Sequence, residues 1–278
     1  MSRTLLNANQ IRNLFSVERV LAARGFSVLR QKNHCTTILN ASDPSQESIE
    51  TLFSIFDDSQ KRYELHKFVH SKKHDPKQIK PLSSIEGAIL DLSHYTTTLE
   101  WYFGELLVRK FQSLSSAFGV EISDNPNPRN NGLSGDYDVL SVMGDGSILY
   151  IECKSGSIGY DDVVKATDRG NSLFTTSTIV TFGGNTTFLH LKSNFDNKPY
   201  PGINIRPTMQ KIALKGRSES TIYAWNNTYF LPQSSDNVAG LTTILRLITM
   251  TRVELLKGFG VDDESYDRLG FTILTSTE

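Results

Sequence analysis

Asp136, Asp138, Glu152 and Lys154 stand in one stretch, GDYDVLSVMGDGSILYIECKSG (135–156). They are residue types that bind a divalent cation and move the proton of a bound water. Two apolar-rich runs around Gly144-Asp145-Gly146 read as a β-hairpin. Side chains alternate along a strand, so Asp136, Asp138 and Leu140 share one face of the first strand. Ile148, Tyr150, Glu152 and Lys154 share a face of the second. A two-residue Asp-Gly turn would pair Asp138 with Cys153 and send Glu152 to the other side. A three-residue loop pairs Met143 with Ser147, and so Asp138 with Glu152. The last position of that loop takes a left-handed backbone, and Gly146 stands there without a Cβ penalty. The three-residue register is therefore expected. It sets the two carboxylates about 4.5–5.5 Å apart at Cβ, with Lys154 next along the face. Like charges that close repel unless a cation lies between them, and hard oxygen ligands suit Mg²⁺.

A third acid comes from a helix. Residues 94–118 carry the strongest helical pattern in the chain, with Leu99, Tyr102, Phe103, Leu106, Leu107, Phe111 and Leu114 on one arc. At about 100° per residue from Leu99, Glu100 falls inside that apolar arc and Glu105 falls at about 240°, toward solvent. A carboxylate in a packed face needs a partner or a raised pKa. Glu100 is the one that asks for an explanation. Between this helix and the hairpin, Val120–Ser123 reads as a short strand, and Asp124–Ser134 (DNPNPRNNGLS) reads as a loop in which Arg129 could meet a phosphate. After the hairpin, a helix from Ser157–Asp161 to about Phe174 places Lys165 and Arg169 four apart, projecting together. Thr178–Phe182 is an apolar strand.

These elements need a frame. Residues 1–90 read as an N-terminal α+β region. It has a helix capped by Asn9 and stopped by Gly25, strands at Phe26–Arg30 and Thr36–Asn40, and a helix opened by Ser42-Asp43-Pro44. A basic segment follows, with Lys61, Arg62, Lys67, Lys72, Lys73, Lys77 and Lys80 among His66, His70 and His74. It reads more simply as a solvated helix face than as a phosphate-contacting patch. Residues 91–184 form the module that carries the acids. Residues 185–278 read as a strand-rich extension ending in a long helix: strands at Thr186–Leu191, Gly202–Ile205, Ile212–Leu214, Thr221–Trp225 and Thr228–Leu231, a helix over Val238–Leu256 capped by Gly258, and a closing strand Phe271–Leu274.

Composition excludes several classes. Of 278 residues, 38% are hydrophobic and 21% charged, which is ordinary for a folded soluble chain and long enough for a real core. No apolar run reaches membrane-spanning length and the first residues lack the apolar core of a signal peptide, so no membrane and no secretion are expected. Two cysteines, Cys35 and Cys153, have no paired spacing, which speaks against a disulfide framework or a zinc site and for a reducing cytoplasm. The sequons at Asn185 and Asn226 then read as chance. A net charge of −1 gives no global basic signature, so any nucleic-acid contact must come from local patches.

The order of these acids resembles a known pattern. A helical Glu in LEWYFGELL (99–107), an Asp in GDYDVL (135–140) and Glu-x-Lys in IECK (151–154) resemble the motifs of the PD-(D/E)xK nuclease superfamily. Tyr137 stands where that family often has proline. The resemblance implies an α/β (α+β) fold with a restriction-endonuclease-like core, a mixed central β-sheet flanked by helices, with N- and C-terminal extensions. It implies a nuclease that uses Mg²⁺ or Mn²⁺ to hydrolyse phosphodiester bonds of nucleic acid, DNA ahead of RNA. Asp138, Glu152 and the backbone carbonyl of Cys153 would hold the metal, and Glu100 would bind it through water or hold a second ion. Lys154 would orient or deprotonate the water, and Asp136 would stand outside the metal ligands. Lys165, Arg169 and Arg129 would meet phosphate. A cytoplasmic, nucleoid or nuclear setting follows, and pairing of two sites in a homodimer is compatible with it. The alternative is a catalytically inactive module on the same fold that binds nucleic acid or protein.

Overall fold

In the computed structural model Ser16 opens the helix Val17–Ala23 by accepting the backbone N–H of Arg19, and Gly25, at φ 88°, ends it. The structure describes residues 13–72, 75–80, 82–124, 135–183, 188–196, 209–214, 222–233, 236–257 and 271–274, with isolated positions at 10, 198, 199 and 207. The chain divides into two compact units: residues 1–153 with 171–175, and residues 154–170 with 176–278.

The first unit holds α1 (Val17–Ala23), β1 (Phe26–Arg30), α2 (Gln46–Asp57), α3 (Ser59–His70), α4 (Leu92–Phe111), β2 (Ser115–Asp124), β3 (Asp136–Val142) and most of β4 (Ile148–Lys154). Its strands lie side by side in the order β1-β2-β3-β4, each neighbour antiparallel. The N-terminal segment is thus part of the sheet that carries the acids, through the pairing of Phe26 with Asp124.

Helix α4 is the centre of this unit. Asp91 caps it by accepting the His94 N–H at 2.7 Å, and Gln112, left-handed at φ 53°, ends it. The helix stops short of the 94–118 span expected from periodicity. Phe111 and Leu114 fit helical spacing, but Ser115 onward finds a sheet partner in β3 (Ser115↔Val142 to Glu121↔Asp136). Gly104 lets α4 sit on the sheet, because a Cβ there would press on the Ser116 hydroxyl. The other side of α4 packs on α2 through Phe53 on Trp101 and Tyr102 and Phe56 on Tyr95 and Tyr102, and on α3 through His66 on Tyr95. From Thr97 to Gly104 every side chain is therefore buried.

Elsewhere in this unit, His34–Thr36 form a short 3₁₀ turn capped by Asn33, where a strand at Thr36–Asn40 was expected. The Asn33 carboxamide and the Thr36 and Thr37 hydroxyls bond to nearby backbone, which competes with a strand. The Asn9 cap and His74 lie outside the described residues.

The second unit holds the end of β4, α5 (Tyr160–Ser172, its last turn in the first unit), β5 (Thr178–Phe182), α6 (Phe188–Phe195), β6 (Gln210–Leu214), β7 (Ile222–Trp225), β8 (Thr228–Pro232), α7 (Asn237–Lys257) and β9 (Phe271–Leu274). Its sheet is mixed. β5 runs parallel to β8, and the order continues β8-β7-β6-β9 with antiparallel neighbours. Phe188–Phe195 is a helix where a strand over Thr186–Leu191 was expected, because Leu191 and Phe195, four apart, both enter the core. Phe195 meets Trp225 and Phe230, with Tyr160 against the same ring cluster. Leu241, Ile244 and Ile248 form the buried stripe of α7. The strand expected at Gly202–Ile205 and the Gly258 cap lie outside the described residues. The fold is a mixed α/β arrangement with helices flanking a mixed sheet. Among the described residues, no helix is long and apolar enough to cross a membrane.

Candidate functional site

The hairpin closes with the three-residue loop. Met143 N–H donates to the Ser147 carbonyl and Gly146 N–H to the Met143 carbonyl, both at 2.8 Å, and Gly146 has φ 78°. The ladder runs from Val142↔Ile148 to Val139↔Ile151. One step further in the same register, Asp138 comes opposite Glu152.

Beyond that point the pleat is irregular. Tyr137 and Tyr150 rings meet at 5.3 Å, although regular alternation from the Leu140↔Tyr150 pair would put them on opposite faces. Gly119, at φ 54°, marks a matching departure in the neighbouring strand β2. The Asp138 carboxylate is turned along the strand, where Oδ2 accepts the backbone N–H of Cys153 at 2.7 Å. Asp138 thus stands across from Glu152 by register while bonding to the main chain of the next residue. The Cys153 side chain is buried.

Four carboxylates of the first unit gather at this end of the hairpin. Glu100, 3% exposed, projects from mid-α4, and Glu152, 4% exposed, accepts the Tyr150 hydroxyl proton from two residues back on the same strand. Asp136 and Asp138 are half-buried. The cation among them is Lys32, which reading the sequence did not single out. Its Nζ lies 3.0 and 3.3 Å from the two Glu100 oxygens and 3.6 Å from Asp136 Oδ2. Arg30 reaches the same acidic rim from outside, 3.3 Å from Glu121 and 3.6 Å from Asp136.

The position of Lys32 is built. The segment just after β1 shifts register between Val28 and Arg30, and the Lys32 N–H donates to the Phe118 carbonyl at 3.1 Å. Its aliphatic stem then crosses Gly119, where any Cβ would overlap it. Glycine is required twice at 119, for the positive φ and for this crossing. No sequence spacing connects Lys32 to Glu100, so strand pairing alone could reveal it.

The electrostatics follow from burial. Burial drives the Glu100 pKa up, the charge and hydrogen bond of Lys32 pull it down, and Asp136 and Glu152 push it up again, leaving it at about 7. Burial pushes the Lys32 ammonium down. The charge and hydrogen bond of Glu100, then Asp136 and Asp138, outweigh that and hold it above the ordinary lysine value. The pair therefore strengthens the charge on Lys32 without making Glu100 a strong acid.

The Glu-x-Lys run straddles the two units, with Glu152 in the first and Lys154 in the second. Lys154 Nζ lies 3.8 Å from Asp162 Oδ1, and its carbonyl accepts Gln233 Nε2 at 2.7 Å and the Gly183 N–H at 3.1 Å. On α5, Lys165 is exposed and Arg169 is buried. Arg129 lies outside the described residues. Glu105 is tied to Arg109 at 2.8 Å, one turn on.

As a donor set, the carboxylates suit a hard divalent cation, and an ammonium already marks where positive charge is stabilised. Among the described residues, no three His, Cys, Asp or Glu side chains close around one point tightly enough to hold a metal ion.

The chain matches no protein-family model and no curated protein.

Proposed function

We propose that this protein is a metal-dependent nuclease on a restriction-endonuclease-like core, hydrolysing phosphodiester bonds of nucleic acid, DNA ahead of RNA. One observation carries the reading: a helix and a hairpin bring Glu100, Asp136, Asp138 and Glu152 together at one end of the hairpin, with the Lys32 ammonium on Glu100 and Asp136. Burying carboxylates costs stability unless they are paired, and a fold that gathers four of them has a use for them.

Asp138 and Glu152, with the Cys153 carbonyl, would hold Mg²⁺ or Mn²⁺, and Glu100 would reach it through water. The ion supplies an acidified water and polarises the scissile phosphate. Glu152 is oriented by the Tyr150 hydroxyl, which keeps its second oxygen in place for ligation. Lys154, two residues beyond Glu152 on β4, would accept or steer the proton of the attacking water. Asp162 Oδ1 lies 3.8 Å from its Nζ.

The test is incubation of the full chain with circular, linear and single-stranded DNA and with RNA, in Mg²⁺, Mn²⁺ or EDTA. Cleavage that needs metal and is lost in Asp138→Asn supports the reading. Equal cleavage by Asp138→Asn, or none by the wild type on any substrate, overturns it. A second reading, a non-catalytic module of the same fold, is favoured by the fact that Asp138, Glu152 and Glu100 each already take a protein donor. It predicts salt-dependent nucleic-acid binding without product.

A further inference from the structure

Lys32 is placed by more than a chance surface attraction. Its backbone is fastened to β2 through Phe118, its stem lies over the missing side chain of Gly119, and its ammonium spans both oxygens of Glu100 and reaches Asp136. Glu100 is almost fully buried, whereas the Lys32 side chain keeps 25% of its surface open. The acid is fixed and the base has a way out.

An ammonium and a divalent cation ask the same thing of this pocket: oxygen lone pairs and negative charge. Two like charges cannot share it at contact distance without strong repulsion. We propose that Lys32 is the resident counter-cation of the acidic pocket, holding Glu100 and Asp136 in place while no divalent ion is bound and withdrawing when one enters. The inference rests on the metal-dependent reading above and adds the residue that sets the threshold for metal entry. Lys32 is then a positioning residue. Its charge stabilises the metal-free pocket and weakens metal affinity by the work of displacing it.

Three consequences are measurable. Calorimetric titration of Mn²⁺ into the full chain should show tighter binding in Lys32→Met, which keeps the stem and drops the charge, by about tenfold or more. Lys32→Met should melt lower than wild type in EDTA, and Mn²⁺ should raise its melting temperature more than it raises that of the wild type. In wild-type protein, acetylation of Lys32 followed by mass spectrometry should run several-fold faster with Mn²⁺ than in EDTA. This last measurement decides the matter if the variant does not fold.

Equal or weaker Mn²⁺ binding by a folded Lys32→Met, or an acetylation rate that Mn²⁺ leaves unchanged or lowers, overturns the role of Lys32 and leaves the metal reading standing. Absence of Mn²⁺ binding by both proteins overturns both.

Discussion

Both units bury hydroxyls, but among the described residues only the first buries carboxylates. The first buries both of the fully buried carboxylates among the described residues, Glu100 and Glu152, and gives them a lysine from a distant segment and a tyrosine from the same strand. The second buries mainly hydroxyls and amides. Thr167 and Thr228 lie 3.0 Å apart, Gln233 caps the Lys154 carbonyl, and a ring cluster of Tyr160, Phe195, Trp225 and Phe230 supplies the packing. Buried hydroxyls and amides carry no net charge, whereas gathered carboxylates stand in mutual repulsion. Under the proposed function the first unit's acids carry the chemistry and the second unit mostly architecture, with Lys154 at the point where β4 passes from one to the other.

The sharpest way to test that division is at Lys154. Its side chain is one-third exposed and pairs with Asp162 at 3.8 Å, an ion pair long and open enough that Lys154→Ala should leave the melting temperature almost unchanged. Cleavage should nevertheless fall on the order of 10²–10⁴-fold. An architectural core behaves in reverse. Phe195→Ala or Trp225→Ala should cost about 3–5 kcal/mol in urea unfolding while Mn²⁺ affinity of the folded fraction stays at the wild-type level. A change in Mn²⁺ affinity there would break the contrast.

The pocket should also leave a signature in pH. Glu100 is lifted to about 7 in the folded chain, above its unfolded value, so the folded state holds the extra proton. Metal-free stability should therefore fall as pH rises from about 4.5 to about 7 and level off above, by up to roughly 3 kcal/mol. Urea titrations in EDTA should show that slope in wild type and its loss in Glu100→Gln. Histidines contribute equally to both proteins, so the difference isolates Glu100.

Smaller effects sharpen the architecture. Gly119→Ala meets both a left-handed backbone and the Lys32 stem, and should destabilise by about 1–3 kcal/mol while loosening Lys32. Thr228→Val removes one buried hydroxyl of a pair whose partner, Thr167, keeps a bond to the Val163 carbonyl. A loss of about 1 kcal/mol in thermal unfolding is expected, with cleavage unaffected.

Local signals reached far into this chain where the deciding forces were themselves local. The three-residue turn was legible because Gly146 tolerates φ 78°, and it sets the ladder from Val142↔Ile148 to Val139↔Ile151, which ends one step short of Asp138 and Glu152. The strands at 26–30, 178–182 and 271–274, and the buried face for Glu100, followed from alternation and helical spacing in the same way. Where two periodicities overlapped, sequence misled. Residues 113–118 fit the end of a helix, yet the backbone partner offered by β3 won, and Leu191 and Phe195 made a helix of what read as a strand.

Amino-acid order by itself determined the acids, their hairpin and the helix that presents the third one, because turn chemistry and side-chain periodicity act over a few residues. Tertiary structure alone decided that Lys32 fills the pocket, that Asp138 rests on the Cys153 amide, that Arg169 is buried, and that Lys154 meets Asp162. Those outcomes depend on strands paired across long stretches of chain and on the shared field of charges they bring together. No spacing between residues encodes that sum.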